Sequence, residues 1–304
     1  MTDPISPIHL HQIYFRSSQR EHLEPAFIPF DNSHNPKPEW HEYQTFLSEH
    51  EKGAWDEDAY YGYVSWKFGM KSGVSGRAFL DFIASDPGAE VYFINPFHEY
   101  GLAFRNVWTQ GDYFHPGMSE LAADVFDEIG FDVDVTEMVN GEEDTAFCNY
   151  WVARPSFWRR YLPYITATLD LASRADRAPL AARLNAPVPR HTSATYLTFI
   201  LERIFTSLIH RDRIDARAYP FSDAWFQARY GILYDHLVPL REMKRREMER
   251  DLSASEQSVL DAYRKLFLQY KEIEFAHQTL NSPLVQNVHK LTSRLPSWAG
   301  GRRF

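Results

Sequence analysis

Two adjacent charged residues, Glu202 and Arg203, sit in the middle of ATYLTFILERIFTSLI, a run that is otherwise apolar nearly all round. Such a run over 194–209 predicts a buried helix. Charges are seldom buried without partners, because desolvation is costly. Two readings are open. The pair either reaches a helix rim or makes a structural salt bridge, or it faces a polar pocket. In the second case burial would raise the Glu202 pKa and make it a proton acceptor near neutral pH. Adjacent helical residues lie about 100° apart, so the two side chains cannot share one direction.

A second set is Trp66, Lys67, Lys71 and Asn95. They fall in the stretch 60–97, YYGYVSWKFGMKSGVSGRAFLDFIASDPGAEVYFINPF. It reads as a β-prone run over 60–68, a Gly-punctuated loop over 69–76, a helix over 77–85 and a strand over 90–94 that ends at Asn95-Pro96. In α/β sheets, ligands bind outside the carboxyl ends of the strands. Two cations, an aromatic plane and an amide beside such a loop suit a nucleotide sugar or another phosphorylated ligand.

Further candidates are more scattered. Tyr14 and Arg16 close a first strand over 8–15. Trp108, Gln110 and His115 lie in an aromatic, polar stretch over 97–118 that shows no period, and a loop of that length is uncommon without a function. Residues 118–144 hold ten acidic side chains and no basic one. That run is either a solvated acidic face or the source of a base or metal ligand at Asp144. Cys148, beside Asn149, reads as a buried, inert thiol, and His9 and His11 as surface residues. No Walker loop, no GxGxxG after a strand, no HExxH and no GxSxG is present. Asp56-Glu57-Asp58 and Asp132-Val133-Asp134 follow no convincing apolar strand.

The elements that must position these groups alternate in type. A β-like run over 26–30 and a helix over 36–51 precede the 60–97 unit. A helix over 119–130, a short strand over 131–135 and a β-prone run over 145–152 follow it. Pro155 suits the first turn of a helix that Pro163 should kink or divide. A short helix and a loop fill 171–191. The order predicts an α/β sandwich. Long helices are expected over 224–250, interrupted at Pro239, and over 254–280. Ser253 and Glu256 form a capping-box signature. Val259, Leu260, Tyr263, Leu266, Phe267, Tyr270 and Ile273 mark an apolar stripe, so these helices should dock as a hairpin on the main domain or on a second subunit. We divide the chain at 1–220 and 221–304.

At 304 residues the chain can bury one sizeable core, alone or with an appendage. A net charge of −9 argues against binding nucleic acid through phosphates. A single cysteine fits a reducing compartment. The N-terminus does not read as a signal peptide, and no apolar run reaches the roughly 18 residues of a membrane span. A soluble cytoplasmic protein is expected. The tail over 287–304, with Lys290, Arg294, Arg302, Arg303 and Trp298, reads as a frayed terminus or a weak membrane-surface contact.

Four segments in order resemble the capsular-polysaccharide-biosynthesis group of glycosyltransferases with a GT-A-like fold. They are Gly62-Tyr63-Val64 followed by Ser65-Trp66-Lys67-Phe68, the strand over 90–97, Cys148-Asn149-Tyr150-Trp151, and Leu201-Glu202-Arg203-Ile204-Phe205. The resemblance spans about residues 8–210. Ser65-Trp66-Lys67 replaces a more basic segment, and the acidic pair usual in GT-A folds is not evident. What the resemblance implies is a transferase moving a sugar from a nucleotide-sugar donor to a glycan acceptor in surface polysaccharide synthesis. The alternative is a non-catalytic glycan-binding or assembly protein with a transferase-like fold. In the first case Lys67 and Lys71, assisted by Arg16 or Arg203, would neutralise the diphosphate. Tyr14, Trp66 and Asn95 would form the donor pocket, and Glu202, with Asp144 behind it, would be the base. Trp108, Gln110, His115 and Asn149 would contact donor or acceptor. The cofactor is undetermined: a divalent metal is the candidate, without a clear Asp-x-Asp to hold it. A homodimer built partly on the C-terminal helices is also expected.

Overall fold

The computed structural model describes residues 6–53, 55–189, 194–231 and 234–280. Six strands form one sheet: β1 (Ile8–Tyr14), β2 (Ile28–Asp31), β3 (Tyr60–Ser65), β4 (Val91–Phe93), β5 (Trp151–Ala153) and β6 (Ala216–Ala218). Their order is β2-β1-β3-β5-β4-β6. All run parallel except β5, which pairs antiparallel with β3 and β4. Among the described residues twelve α-helices accompany them. In chain order these are α1 (Tyr43–Glu51), α2 (Phe68–Ser72), α3 (Gly76–Ser85), α4 (His98–Ala103), α5 (Val107–Phe114), α6 (Met118–Ile129), α7 (Pro155–Leu171), α8 (Ala178–Asn185), α9 (Tyr196–Asp212), α10 (Asp223–Tyr230), α11 (Tyr234–Glu249) and α12 (Ala254–Leu280).

The period of two in β3 sorts its aromatics between two cores. Tyr61 and Tyr63 face a large cluster built with α1 and α5–α9. Tyr60 and Val64 face a smaller one completed by Phe68 of α2 and by Phe79 and Ile83 of α3. Helices therefore cover both faces of the sheet, and all of β3 up to Val64 is buried. Gly62 is required where it stands, because a Cβ there would run into the carbonyl of Trp151 and the side chain of Val152 on β5.

Several expectations need correction. The Gly-rich loop over 69–76 contains helix α2, which is held by the Ser72 hydroxyl donating to the Phe68 carbonyl (2.7 Å) and ended by Gly73 at φ 66°. The stretch over 97–118 is largely helical. Asn106 caps α5 by accepting from the amides of Trp108 and Thr109. Helices α4 and α5 are six and eight residues long and buried on several sides, so they leave no amphipathic period to read. Residues 131–135 form no strand. Phe131 and Val135 enter the core, and Asp134 turns the chain by accepting from the amides of Thr136 and Glu137. The helix expected over 36–51 breaks at His41, between a 3-10 turn at Pro38–Trp40 and α1. Helix α7 runs through Pro163 undivided. Gly231 closes α10, and Pro239 lies inside α11. The expected basic tail lies outside the described residues.

Helices α10–α12 form a third cluster with α4. Phe226, Tyr230, Leu237, Leu240, Leu260 and Phe267 surround Leu102, Ala103 and Phe104. The stripe on α12 divides: Leu260 and Phe267 are fully buried, while Val259, Leu266, Tyr270 and Ile273 keep exposed surface. A buried ion cluster ties these helices to the main chain. Lys244 Nζ donates to the carbonyls of Phe104 (2.9 Å) and Arg105 (2.7 Å) and to Glu247 (3.0 Å), which also accepts from Arg264 (2.8 Å). Burial first, against the pull of Glu247, brings the Lys244 pKa down to about 8. Among the described residues no helix is long and apolar enough to cross a membrane.

Among the described residues Glu247 is the carboxylate that contacts the buried Lys244, whereas Arg264 also has Asp261 at 3.6 Å, so Glu247→Gln leaves the Lys244 ammonium buried without a counter-charge. The expected cost is about 3 kcal/mol of stability. Urea unfolding checks it; a midpoint equal to the parent's would show that the cluster holds nothing together.

Candidate functional site

Strands β1 and β3 are neighbours, yet the chain leaves β1 toward β2 on one side and leaves β3 toward the opposite side of the sheet. Their carboxyl ends thus form a topological switch point, where open α/β sheets bind ligands. A cavity of about 570 Å³ opens there. Ile13 and Phe15 line it from β1, Asn32 and Ser33 from the turn after β2, and Ser65, Trp66 and Lys67 from β3. The buried amide of Gln12 braces this edge by donating to the Ser65 carbonyl (3.3 Å) and accepting from the Glu24 amide (2.6 Å). Lys71 enters from α2, and Thr198 and Glu202, four residues apart on one face of α9, close the opposite wall.

Two carboxylates meet here. Glu42, just before α1, lines the cavity, and its Oε1 accepts from the Asn149 side chain (2.9 Å), which also donates to the buried Tyr43 hydroxyl (3.1 Å). Glu202 is half-buried and accepts no hydrogen bond from the described residues. Desolvation, then the Glu42 charge, pushes its pKa up to about 7 against the opposing pull of Arg203 and Lys71. Lys71 is half-buried and donates to the Cys148 sulfur (3.5 Å). Burial disfavours its charge, but Cys148 and Glu202 outweigh that and hold its pKa above the ordinary value. Burial pushes the Cys148 thiol up to about 12, so it stays protonated at neutral pH.

One backbone feature marks the rim. His41 has φ 51° and ψ −132°, a conformation side chains rarely adopt. It is held by the Asn35 amide donating to its carbonyl (3.2 Å) and by its own N–H donating to Pro38 (3.1 Å). Such a residue costs on the order of 1–3 kcal/mol.

Of the residues singled out from the sequence, Trp66, Lys67, Lys71 and Glu202 line this cavity, and Asn149 stands directly behind it. The others lie elsewhere. Tyr14 is buried, its hydroxyl donating to Asp31 (3.1 Å). Arg16 is exposed and leans on Phe15. Asn95 is buried and caps the next turn by accepting from the Phe97 amide (3.0 Å). Arg203 points into the core, donating to the carbonyls of Val107 and Phe199 (2.9 Å each) and to Gln110. Trp108 is buried and donates to Ser207 (3.1 Å), and His115 stacks on Phe199 at 4.2 Å. Asp144 is occupied in a turn, accepting from Asn140 (3.1 Å) and the Gly141 amide (2.6 Å). Glu42, His41, Asn32 and Thr198 escaped sequence reasoning. The turn cluster Asp31-Asn32-Ser33 was a usable signal; Glu42 was hidden by reading 36–51 as one helix. Among the described residues, no three His, Cys, Asp or Glu side chains converge to hold a metal ion.

The chain matches no family model and no curated protein. Among solved structures it is similar to the apo structure of the WbbM bifunctional glycosyltransferase, at 11% identity and a TM-score of 0.43, over 70% of this chain and 44% of that one. It therefore spans less than half of that protein's length.

The raised Glu202 pKa has a consequence for stability. The folded chain holds this proton up to about pH 7, whereas an ordinary carboxyl loses it near 4.5. The native state binds the extra proton between those values, so stability falls as pH rises through that window and stays lower above it. Glu202→Gln should match the parent near pH 4.5 and exceed it by about 2–3 kcal/mol at pH 8. Denaturant unfolding at both pH values checks this; a variant no more stable at pH 8 would show that Glu202 is not desolvated.

Proposed function

We propose that this cavity is the active centre of a glycosyltransferase that moves a sugar from a nucleotide-sugar donor to a hydroxyl of a glycan acceptor. The carrying observation is Glu202, a half-buried carboxylate with a pKa near 7, set across the switch-point cavity from Trp66, Lys67 and Lys71. The assignment to surface polysaccharide synthesis rests on the sequence resemblance alone.

In this reading the donor diphosphate lies against Lys71 and Lys67, which neutralise it as a leaving group. Trp66 and Phe15 offer aromatic planes, and Asn32, Ser33 and Asn35 offer hydrogen-bonding groups, to the rest of the donor. Glu202 takes the proton from the acceptor hydroxyl as its oxygen bonds to the anomeric carbon. The bond from that carbon to the diphosphate oxygen breaks, and its electron pair leaves with the diphosphate. Glu42, anchored by Asn149, stands close enough to Glu202 to help raise the Glu202 pKa toward the working range.

The test is a panel of uridine, guanosine and thymidine diphosphate sugars, assayed for binding and for slow donor hydrolysis. One donor should bind and turn over, with rate rising through about pH 7 as Glu202 ionises. Glu202→Gln should cut turnover roughly a hundredfold or more while nucleotide affinity survives. Lys71→Ala should weaken nucleotide binding by about 1.5–3 kcal/mol, the range for charge-assisted bonds. Lys67→Ala should weaken it less, because Lys67 is exposed and screened. Failure of every diphosphate sugar to bind would overturn the proposal.

A further inference from the structure

The cavity does not end at Glu202. Pro38, His41 and Thr198 line it, and the same three residues line a second cavity of about 470 Å³ on their far side. Thr198 lies one helical turn before Glu202, so the shared wall adjoins the candidate base. The ridge between the two spaces carries His41 in its costly backbone conformation. Such conformations persist only where the surrounding structure enforces them, and they concentrate at ligand-binding positions.

The second cavity differs in chemistry. Trp40 lines it, and with it Glu39, Ser173, Asn185 and Thr195; no lysine or arginine among the described residues is in its walls. Trp40 is half-buried and packed on the main core, with Lys37 Nζ 3.4 Å from its ring centroid, so the indole is fixed in place. A held aromatic ring among hydroxyls and an amide suits a neutral, many-hydroxyl ligand with apolar C–H faces. The lysines that would suit a phosphate, Lys67 and Lys71, line the first cavity.

We propose that the acceptor is an oligosaccharide, not a single sugar. Its terminal unit presents a hydroxyl to Glu202, and the preceding units cross the Pro38–His41 ridge into the second cavity against Trp40. This rests on the transferase reading above, and it makes that site a chain-extending one that selects acceptors by length.

The experiment measures binding of cello-, malto- and chito-oligosaccharides of one to six units by calorimetry, with nucleotide-sugar binding and donor hydrolysis followed separately. Affinity should rise at least tenfold from one unit to three in one series and then level off. Trp40→Ala should abolish that rise while leaving nucleotide affinity and acceptor-free hydrolysis unchanged. His41→Gly guards against a folding artefact: glycine relieves the positive φ, so its melting temperature should not fall, yet the gain with length should shrink. Length-independent binding in all three series, or a rise untouched by both substitutions, overturns the proposal. Oligosaccharide binding that depends on Trp40, in a protein that binds no nucleotide sugar, would defeat the transferase reading while keeping the cleft as a glycan site.

Discussion

Helix α9 must bury one charge and keep its neighbour accessible. Arg203 is almost fully buried and is satisfied without a hydrogen-bonded carboxylate, by the carbonyls of Val107 and Phe199 and by Gln110. Burial lowers its pKa to about 10, which leaves it charged at neutral pH. Losing those acceptors would strand a cation in the core, so α5 and α9 are locked in one relative position. Ser207 and Thr206 add to the lock by holding Trp108 and the backbone of Ala146. With the helix so fixed, the step of about 100° between adjacent residues turns Glu202 away from the direction of Arg203 and toward the cavity.

The electrostatics of the cavity follow from that placement. Glu202 is brought close enough to Glu42 and Lys71 for each to shift its pKa, and no hydrogen bond from a described residue stabilises its charge. Lys71 offsets part of the acidic charge of Glu42 and Glu202, and its contact with Cys148 ties α2 to the segment before β5. Asn149 holds Glu42 from behind, and Tyr43 accepts its second hydrogen. In the proposed reaction, a carboxylate titrating near neutrality would take the proton of an acceptor hydroxyl while a nearby cation neutralises the departing diphosphate. The same arrangement makes the site a net cost to folding above neutral pH, a common trade at functional positions.

Much of the frame was legible because it depends on local period and turn chemistry. The strand within the β-prone run over 60–68, the helix over 77–85, the all-round apolar run of α9 and the Ser253–Glu256 capping box each appear where their residues predict. The misses share a cause. Helices α4 and α5 are too short and too thoroughly buried to show a face, and the 36–51 segment looked continuous because nothing in its composition announces a positive φ at His41. A histidine there is held by hydrogen bonds with Asn35 and Pro38, with no glycine to mark the break.

By itself the sequence determined the chemistry on offer: an adjacent Glu202 and Arg203 that cannot point the same way, and Trp66, Lys67 and Lys71 at the end of a β-prone run. Those conclusions need only helix geometry, strand period and side-chain identity. Which of the pair meets solvent, that Glu42 joins Glu202, and that Asp144, Tyr14 and Asn95 are spent on turns and strand ends were decided by the tertiary structure. The reason is distance along the chain. Glu42, Lys71 and Glu202 are separated by 29 and 131 positions, and only the crossing of the segments that carry them brings them to one cavity. Burial, which raises the Glu202 pKa and so gives the site its character, does not exist until that crossing has formed.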